Sequence, residues 1–196
     1  MARPIAVAIT GGIGAGKSTA LAAFRRHGAA TVSSDEIVHH LLATDETVKE
    51  ALVARLGPGI LDPDGRPDRA AIGRIVFSDR AALTFLEQLL HPLVSREYLQ
   101  WRDQLAGLPI PPRVCVTEVP LLYEAGGEGR FDRVVVITAP RRLREARRQV
   151  PMDEREQRLL PDREKVRRAD YHYRNVGTEE ELDAWVGELM AALAGR

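Results

Sequence analysis

A single cysteine, Cys115, occurs in 196 residues. No intrachain disulfide and no CxxC metal site can form, and such usage fits a reducing compartment. An excess of one charge is missing as well, because 28 basic side chains balance 28 acidic ones. That balance removes the general attraction that dominates nonspecific nucleic-acid binding, so a nucleic-acid partner is not expected. Long apolar runs are absent too. The stretch at residues 5–9 is too short for a signal-peptide core, and nothing approaches the roughly 20 apolar residues of a membrane span. The expectation is a cytoplasmic protein without membrane contact. Lysine is scarce, with only Lys17, Lys49 and Lys165 against 25 arginines. Genomic base composition accounts for that bias as readily as phosphate binding does, so the placement of the arginines matters and their number does not.

What is present excludes disorder: 44% of the residues are hydrophobic and 29% are charged, enough apolar surface to offset the entropy of ordering. The length suits one core, or one core carrying a large insertion. No internal repeat or low-complexity tract occurs. Residues 4–10 (PIAVAIT) form a continuous apolar run ahead of a glycine cluster, the pattern of a strand buried on both faces of a parallel sheet. A helix follows from Ser18, with Leu21 and Phe24 on one face and Gly28 as its stop. Residues 29–33 predict a second strand. Strand, turn, helix and strand in that order open an α/β fold with right-handed crossovers.

The pattern changes after Asp35. Helical periodicities fill residues 36–107, broken by the proline and glycine cluster at 57–67, and predict a mostly helical insertion over 36–112. Buried-strand patterns resume at 114–119 and 131–138, and a last short strand is predicted at 170–174. Residues 141–170 are arginine-rich, are interrupted by Pro151 and Pro161, and predict two or three short helices that pack only partly. Leu182, Trp185, Leu189 and Leu193 share one face of a closing helix. The expected core is therefore residues 1–35 with 113–196.

Residues 11–18 read GGIGAGKS, a full match to GxxxxGK[ST] between a predicted strand and a predicted helix. Glycines let successive N–H groups turn inward toward phosphate oxygens, and the helix N-terminus adds its dipole. In this reading Lys17 reaches the β and γ phosphates and the Ser18 hydroxyl coordinates Mg2+. No NKxD follows a late strand, which argues against guanine selectivity of the GTPase type. Asp35 stands where ligands of open α/β sheets gather and suits a base that takes the proton of an attacking hydroxyl. Spacing alone supports a second role equally: Ser33 and Glu36 form a capping-box pair, and Asp35 is then an acidic residue at a helix N-terminus.

Beyond these local motifs, the chain resembles dephospho-coenzyme A kinases, P-loop kinases of the nucleotide-kinase type, along nearly its whole length. The landmarks are TGGIGAGKST at residues 10–19, Phe24 and Gly28, Asp35, Asp68 with Arg69, and Val76 with Phe77. His91 with Pro92, PLLYE at residues 120–124, Phe131 with Asp132, Lys165 with Ala169 and Asp170, and the turn from Asn175 to Gly177 follow in order. The phosphate loop is common to many NTPases. The His-Pro pair, the PLLYE element and the helical insertion together are far more specific.

The resemblance implies transfer of the γ-phosphoryl of ATP, with Mg2+, to the ribose 3′-hydroxyl of dephospho-CoA. It implies that Asp35 is the catalytic base, that Gly12, Ile13, Gly14, Ala15, Gly16, Lys17, Ser18 and Thr19 bind the ATP phosphates, and that Asn175 and Gly177 flank adenine. Phe77, His91, Pro120, Leu121, Leu122 and Glu124 fall to the acceptor side, with the helical insertion as its platform. The simpler role for His91, next to a proline, is to shape a helix start, and for Asn175 to form a turn. The arginine-rich stretch at about 141–168 resembles a mobile lid in which Arg144, Arg147 or Arg148 neutralises transition-state charge, a solvated helix face being the alternative for each. Glu118 is a weaker candidate to assist Mg2+ through water. Departures are Ser33, where the family usually carries a second acidic residue, a shorter lid, and Leu159 where glutamine is common. The expected state is a monomer or a weak oligomer. Competing readings are a kinase for another nucleoside or small hydroxyl compound, and a nucleotide-dependent switch or nucleic-acid ATPase.

Overall fold

Residues 3–147 and 159–195 are described by the structure, a computed structural model. Five parallel strands run in the order β2-β3-β1-β4-β5: β1 (Ile5–Gly11), β2 (Ala30–Ser33), β3 (Val114–Glu118), β4 (Arg133–Thr138) and β5 (Tyr171–Arg174). Burial follows position in the sheet. β3 is buried throughout and β1 from its second residue, the continuous apolar signature of interior parallel strands, whereas the edge strands β2 and β5 are only partly covered.

Period-two alternation sends successive residues to opposite layers. Val7, Ile9, Val135 and Ile137 meet α1 (Lys17–Arg26) through Phe24 and the closing helix (Glu179–Ala194) through Leu182 and Val186. Ala8, Val134 and Val136 face the other way, onto Leu122, Tyr123, Val166 and Ala169. The helix α1 ends as its sequence dictates. Gly28 takes a positive φ of 88°, its N–H donates to the Arg25 carbonyl, and the next N–H, of Ala29, reaches back to Phe24.

Contacts divide the chain into two units, one of residues 1–33 with 101–196 and one of residues 34–100. The second contains α2 (Ser34–Thr44), α3 (Glu46–Leu56), α4 (Arg69–Ser78) and most of α5 (Arg80–Ala106). Its core gathers Val48, Leu52, Ile60, Ile72 and Val76 with Leu90. Asp45 and Asp68 cap α3 and α4 by accepting backbone N–H groups two and three residues on, or two residues on.

One local expectation is corrected here. His91 and Pro92 do not begin a helix but lie inside α5, which runs 27 residues. Proline lacks the N–H that would bond the carbonyl four residues back, at Gln88, yet α5 continues through it. Within the first unit the further α-helices among the described residues are α6 (Arg141–Ala146), α7 (Asp162–Arg168) and the closing helix, α8 (Glu179–Ala194). Residues 148–158 of the arginine-rich stretch lie outside the described residues. Among the described residues no helix is long and apolar enough to cross a membrane. Cys115 sits within β3, where burial pushes its thiol up to about 11.

Asp132 ties the start of β4 to β1 and the chain before it. Its carboxylate accepts the Ala6 N–H at 2.8 Å and both arms of the Arg3 guanidinium at 2.7 and 2.9 Å. Burial raises the Asp132 carboxyl, but the Arg3 and Ala6 hydrogen bonds outweigh it and hold the group below its ordinary value. A carboxyl lowered by folding contributes stability above its unfolded value of about 4, and loses it as pH falls through the folded value. Asp132→Asn should therefore cost about 1 kcal/mol at pH 7 in urea unfolding. That difference should shrink as both proteins are titrated below pH 4, and a pH-independent difference would contradict the linkage.

Candidate active site

The site begins where β1 stops. β1 is the central strand, the chain leaves it toward β2 on one side, and β4 and β5 later fill the other, so the reversal of strand order falls beside it. Its last residue, Gly11, has a φ of 147°, and a Cβ there would lie 2.0 Å from the Ile137 carbonyl oxygen of β4. Only glycine permits that approach. The loop then climbs to Gly16, the N-cap of α1, in the left-handed region at φ 100° and ψ 23°.

Lys17 folds back over this loop. It is 8% exposed, and its ammonium donates to the Gly12 carbonyl at 3.0 Å. A phosphate oxygen could take the place of that carbonyl as the acceptor of the ammonium. Ser18 points its hydroxyl at Glu118, with Oγ 3.4 Å from Oε1. Glu118 ends β3 and is nearly buried, and the sheet register sets it beside Ile9 on one side and Ser33 on the other. Among the described residues no group of three or more metal-binding side chains occurs. One hydroxyl and one carboxylate nonetheless fit Mg2+, which keeps several waters and takes most other ligands from phosphate.

A cavity of about 510 Å³ opens over the loop. Gly14, Gly16, Lys17, Ser18 and Thr19 form one wall, Arg147 flanks them, and Asn175, Gly177, Thr178, Glu179 and Leu182 form the other. A capping box builds the far wall: the Glu181 N–H donates to Thr178 Oγ1 at 3.3 Å and the Thr178 N–H donates to Glu181 Oε2 at 3.1 Å. Gly177 leaves room for it, since a Cβ there would collide with the Glu181 carboxylate. Arg144 lies across the loop, its Nη1 2.6 Å from where a Cβ on Gly12 would stand.

Eight of the residues singled out from sequence thus share one cavity: Gly14, Gly16, Lys17, Ser18, Thr19, Arg147, Asn175 and Gly177. Gly12 and Ala15 are buried in the loop, Ile13 is half-buried, and Arg148 is outside the described residues. The residues assigned to the acceptor side lie in varied surroundings. Leu122 is fully enclosed in the core layer under β4, and Glu124 is turned to Lys165 Nζ at 2.8 Å and to the Leu160 N–H at 2.8 Å. A fully buried ammonium needs that carboxylate, because an unpaired charge in such a place costs several kcal/mol. Pro120 offers its carbonyl to the Thr10 hydroxyl at 3.2 Å, and Leu121 is half-buried. In the second unit, Asp35 is exposed in the first turn of α2 beside Glu36, Phe77 is 57% exposed on α4, and His91 is exposed in mid-α5. Sequence reasoning passed over Thr178 and Glu179, although the Thr-x-x-Glu spacing of the capping box was readable, and it read Leu182 only as part of the apolar face of the closing helix.

A doubly wound parallel sheet with a phosphate loop on its central strand, crossed by Arg144 of α6, is the architecture of a P-loop kinase. The dephospho-CoA kinase family model matches residues 5–181, and the chain belongs to that family. It is 37% identical to the dephospho-CoA kinase of Symbiobacterium thermophilum, over 96% of this chain and 81% of that one. To the dephospho-CoA kinase of Mesorhizobium japonicum it is 39% identical, over 96% and 95%. The solved dephospho-CoA kinase from Campylobacter jejuni, 24% identical, shares the fold with a TM-score of 0.72 over 97% of both chains.

Lys17→Ala should lower turnover about 100- to 1000-fold, the scale of losing one preorganised charge at a reacting phosphate. Near-normal turnover would refute the role given to its ammonium.

Proposed function

We propose that this chain transfers the γ-phosphoryl of ATP to the ribose 3′-hydroxyl of dephospho-CoA, giving coenzyme A and ADP in the cytoplasm. Family membership supports the reaction, and the observation that carries the donor side is the cavity in which Lys17, Ser18 and the loop glycines face Asn175, Gly177 and Thr178. Loop amides and Lys17 bind the triphosphate tail. Ser18, with Glu118 behind it, would hold the Mg2+ that neutralises phosphate charge when bound. Arg144 and Arg147 add positive charge to the same region, Arg147 from the cavity wall and Arg144 from across the loop.

Asp35 is the base in this reading. It follows the end of β2 by two residues, in the first turn of α2. The 3′-oxygen attacks the γ-phosphorus, its proton passes to the Asp35 carboxylate, and the bond to the β–γ bridging oxygen breaks as ADP departs. Little covalent chemistry is left for the protein, so positioning and charge neutralisation supply most of the acceleration. The helical residues from 36 to 112, with Phe77 and His91, are the acceptor platform, and the working state is a monomer or a weak oligomer.

A coupled assay of ADP release should respond to dephospho-CoA and not to nucleosides or nucleoside monophosphates, and equal release with those or with no acceptor would refute the assignment. Asp35→Asn should lower kcat about 100- to 10000-fold, the range for a general base, while KM for ATP stays within about twofold. Full turnover in that variant would remove Asp35 from the chemistry.

A further inference from the structure

Asn175, expected to flank adenine or to form a turn, bonds the phosphate loop through its side chain. Its backbone N–H donates to the Thr138 carbonyl at the end of β4 at 2.7 Å, which anchors the residue to the sheet. The residue is 5% exposed, and Nδ2 donates to the Ala15 carbonyl at 2.9 Å, across 160 residues of sequence. The direction is fixed by chemistry: a carbonyl only accepts, so the amide must present its NH2. The same nitrogen fills the space at the next residue, lying 2.2 Å from where a Cβ on Gly16 would be. Gly16 is therefore required twice over, by its left-handed backbone and by the Asn175 amide packed against it.

The consequence follows from the geometry of one peptide. In a trans peptide the C=O and N–H point in opposite directions within one plane. Holding the Ala15 oxygen toward Asn175 turns the Gly16 N–H to the opposite side and fixes the plane that leads into Lys17 and Ser18. We propose that Asn175 is a positioning residue of the phosphate loop: it clamps the Ala15–Gly16 peptide so that the loop amides are set for phosphate before any nucleotide arrives, and it does not select the base. Preorganised donors cost no reordering when the ligand binds, so loosening the clamp weakens every ligand that uses those amides.

This inference rests on the loop binding a nucleotide triphosphate, and the test separates the two. Asn175→Leu keeps the volume and removes the donor; Asn175→Ala, which only truncates, stands in if the first fails to fold. The probes are ATP, GTP and inorganic tripolyphosphate, the last having phosphates and no base. Binding of each is measured directly, alongside the thermal midpoint without ligand. The clamp predicts that ATP and tripolyphosphate affinity both fall tenfold or more by the same factor, with the preference of ATP over GTP unchanged and kcat reduced as well. Loss confined to ATP with tripolyphosphate unaffected would overturn the proposal and make Asn175 a base ligand. Unchanged binding of both by a folded variant would overturn it as well. Wild-type protein that bound neither probe would instead bring down the phosphate-loop reading, and the clamp with it.

Discussion

The constraint on which the rest depends is the close crossing of Gly11 against Ile137, where the central strand ends and the loop begins. β1 is hydrogen-bonded along both edges, to β3 and to β4, so its end cannot shift without disturbing the sheet. The loop inherits that rigidity. A flexible glycine-rich segment would spend binding energy on its own ordering, whereas one rooted in a doubly paired strand and closed by Asn175 presents its amides already placed. The same strand brings Glu118 alongside through the register of β3, so the carboxylate behind Ser18 is set by backbone pairing and not by a side-chain network alone.

Charge around this loop is arranged in two ways. Lys17 is nearly buried and held by a carbonyl of the loop itself, a contact that a phosphate oxygen can replace. Lys165 is fully buried and committed to Glu124, with the Leu160 amide sharing that carboxylate. Of the chain's three lysines, then, one bonds the loop itself and one serves to fasten α7 onto the segment after β3. Arginines add further positive charge near the loop, and a guanidinium is always protonated.

Much of this was legible in sequence. The five strands fall within about two residues of their predicted positions, and β1, β3 and β4 were the plainest because strands buried on both faces leave continuous apolar runs. The phosphate loop was legible because its chemistry demands fixed residue types at fixed spacing. What local pattern leaves out shares one cause. Leu122, Glu124 and Asn175 were read from neighbours in the chain or from resemblance, while their contacts are made with residues far away in sequence. A leucine sealed beneath β4 and a glutamate claimed by Lys165 are both outcomes of tertiary packing that no local pattern carries. The bond from Asn175 to Ala15 spans almost the whole chain, and no periodicity announces it.

Strand order has a further consequence, for how the protein is made. β2 pairs only with β3, and β3 lies between β2 and β1, although some 80 residues of chain separate β2 from β3. A nascent chain therefore exposes β1 and β2 before the strand that joins them, while the contiguous helical segment from 34 to 100 has an apolar cluster of its own. Joining them through β3 is a long-range event with a slow entropic search, and until β3 arrives the edges of both strands are open to mispairing. The ribosome exit order thus makes the apolar segment from Val114 to Glu118 the keystone of assembly.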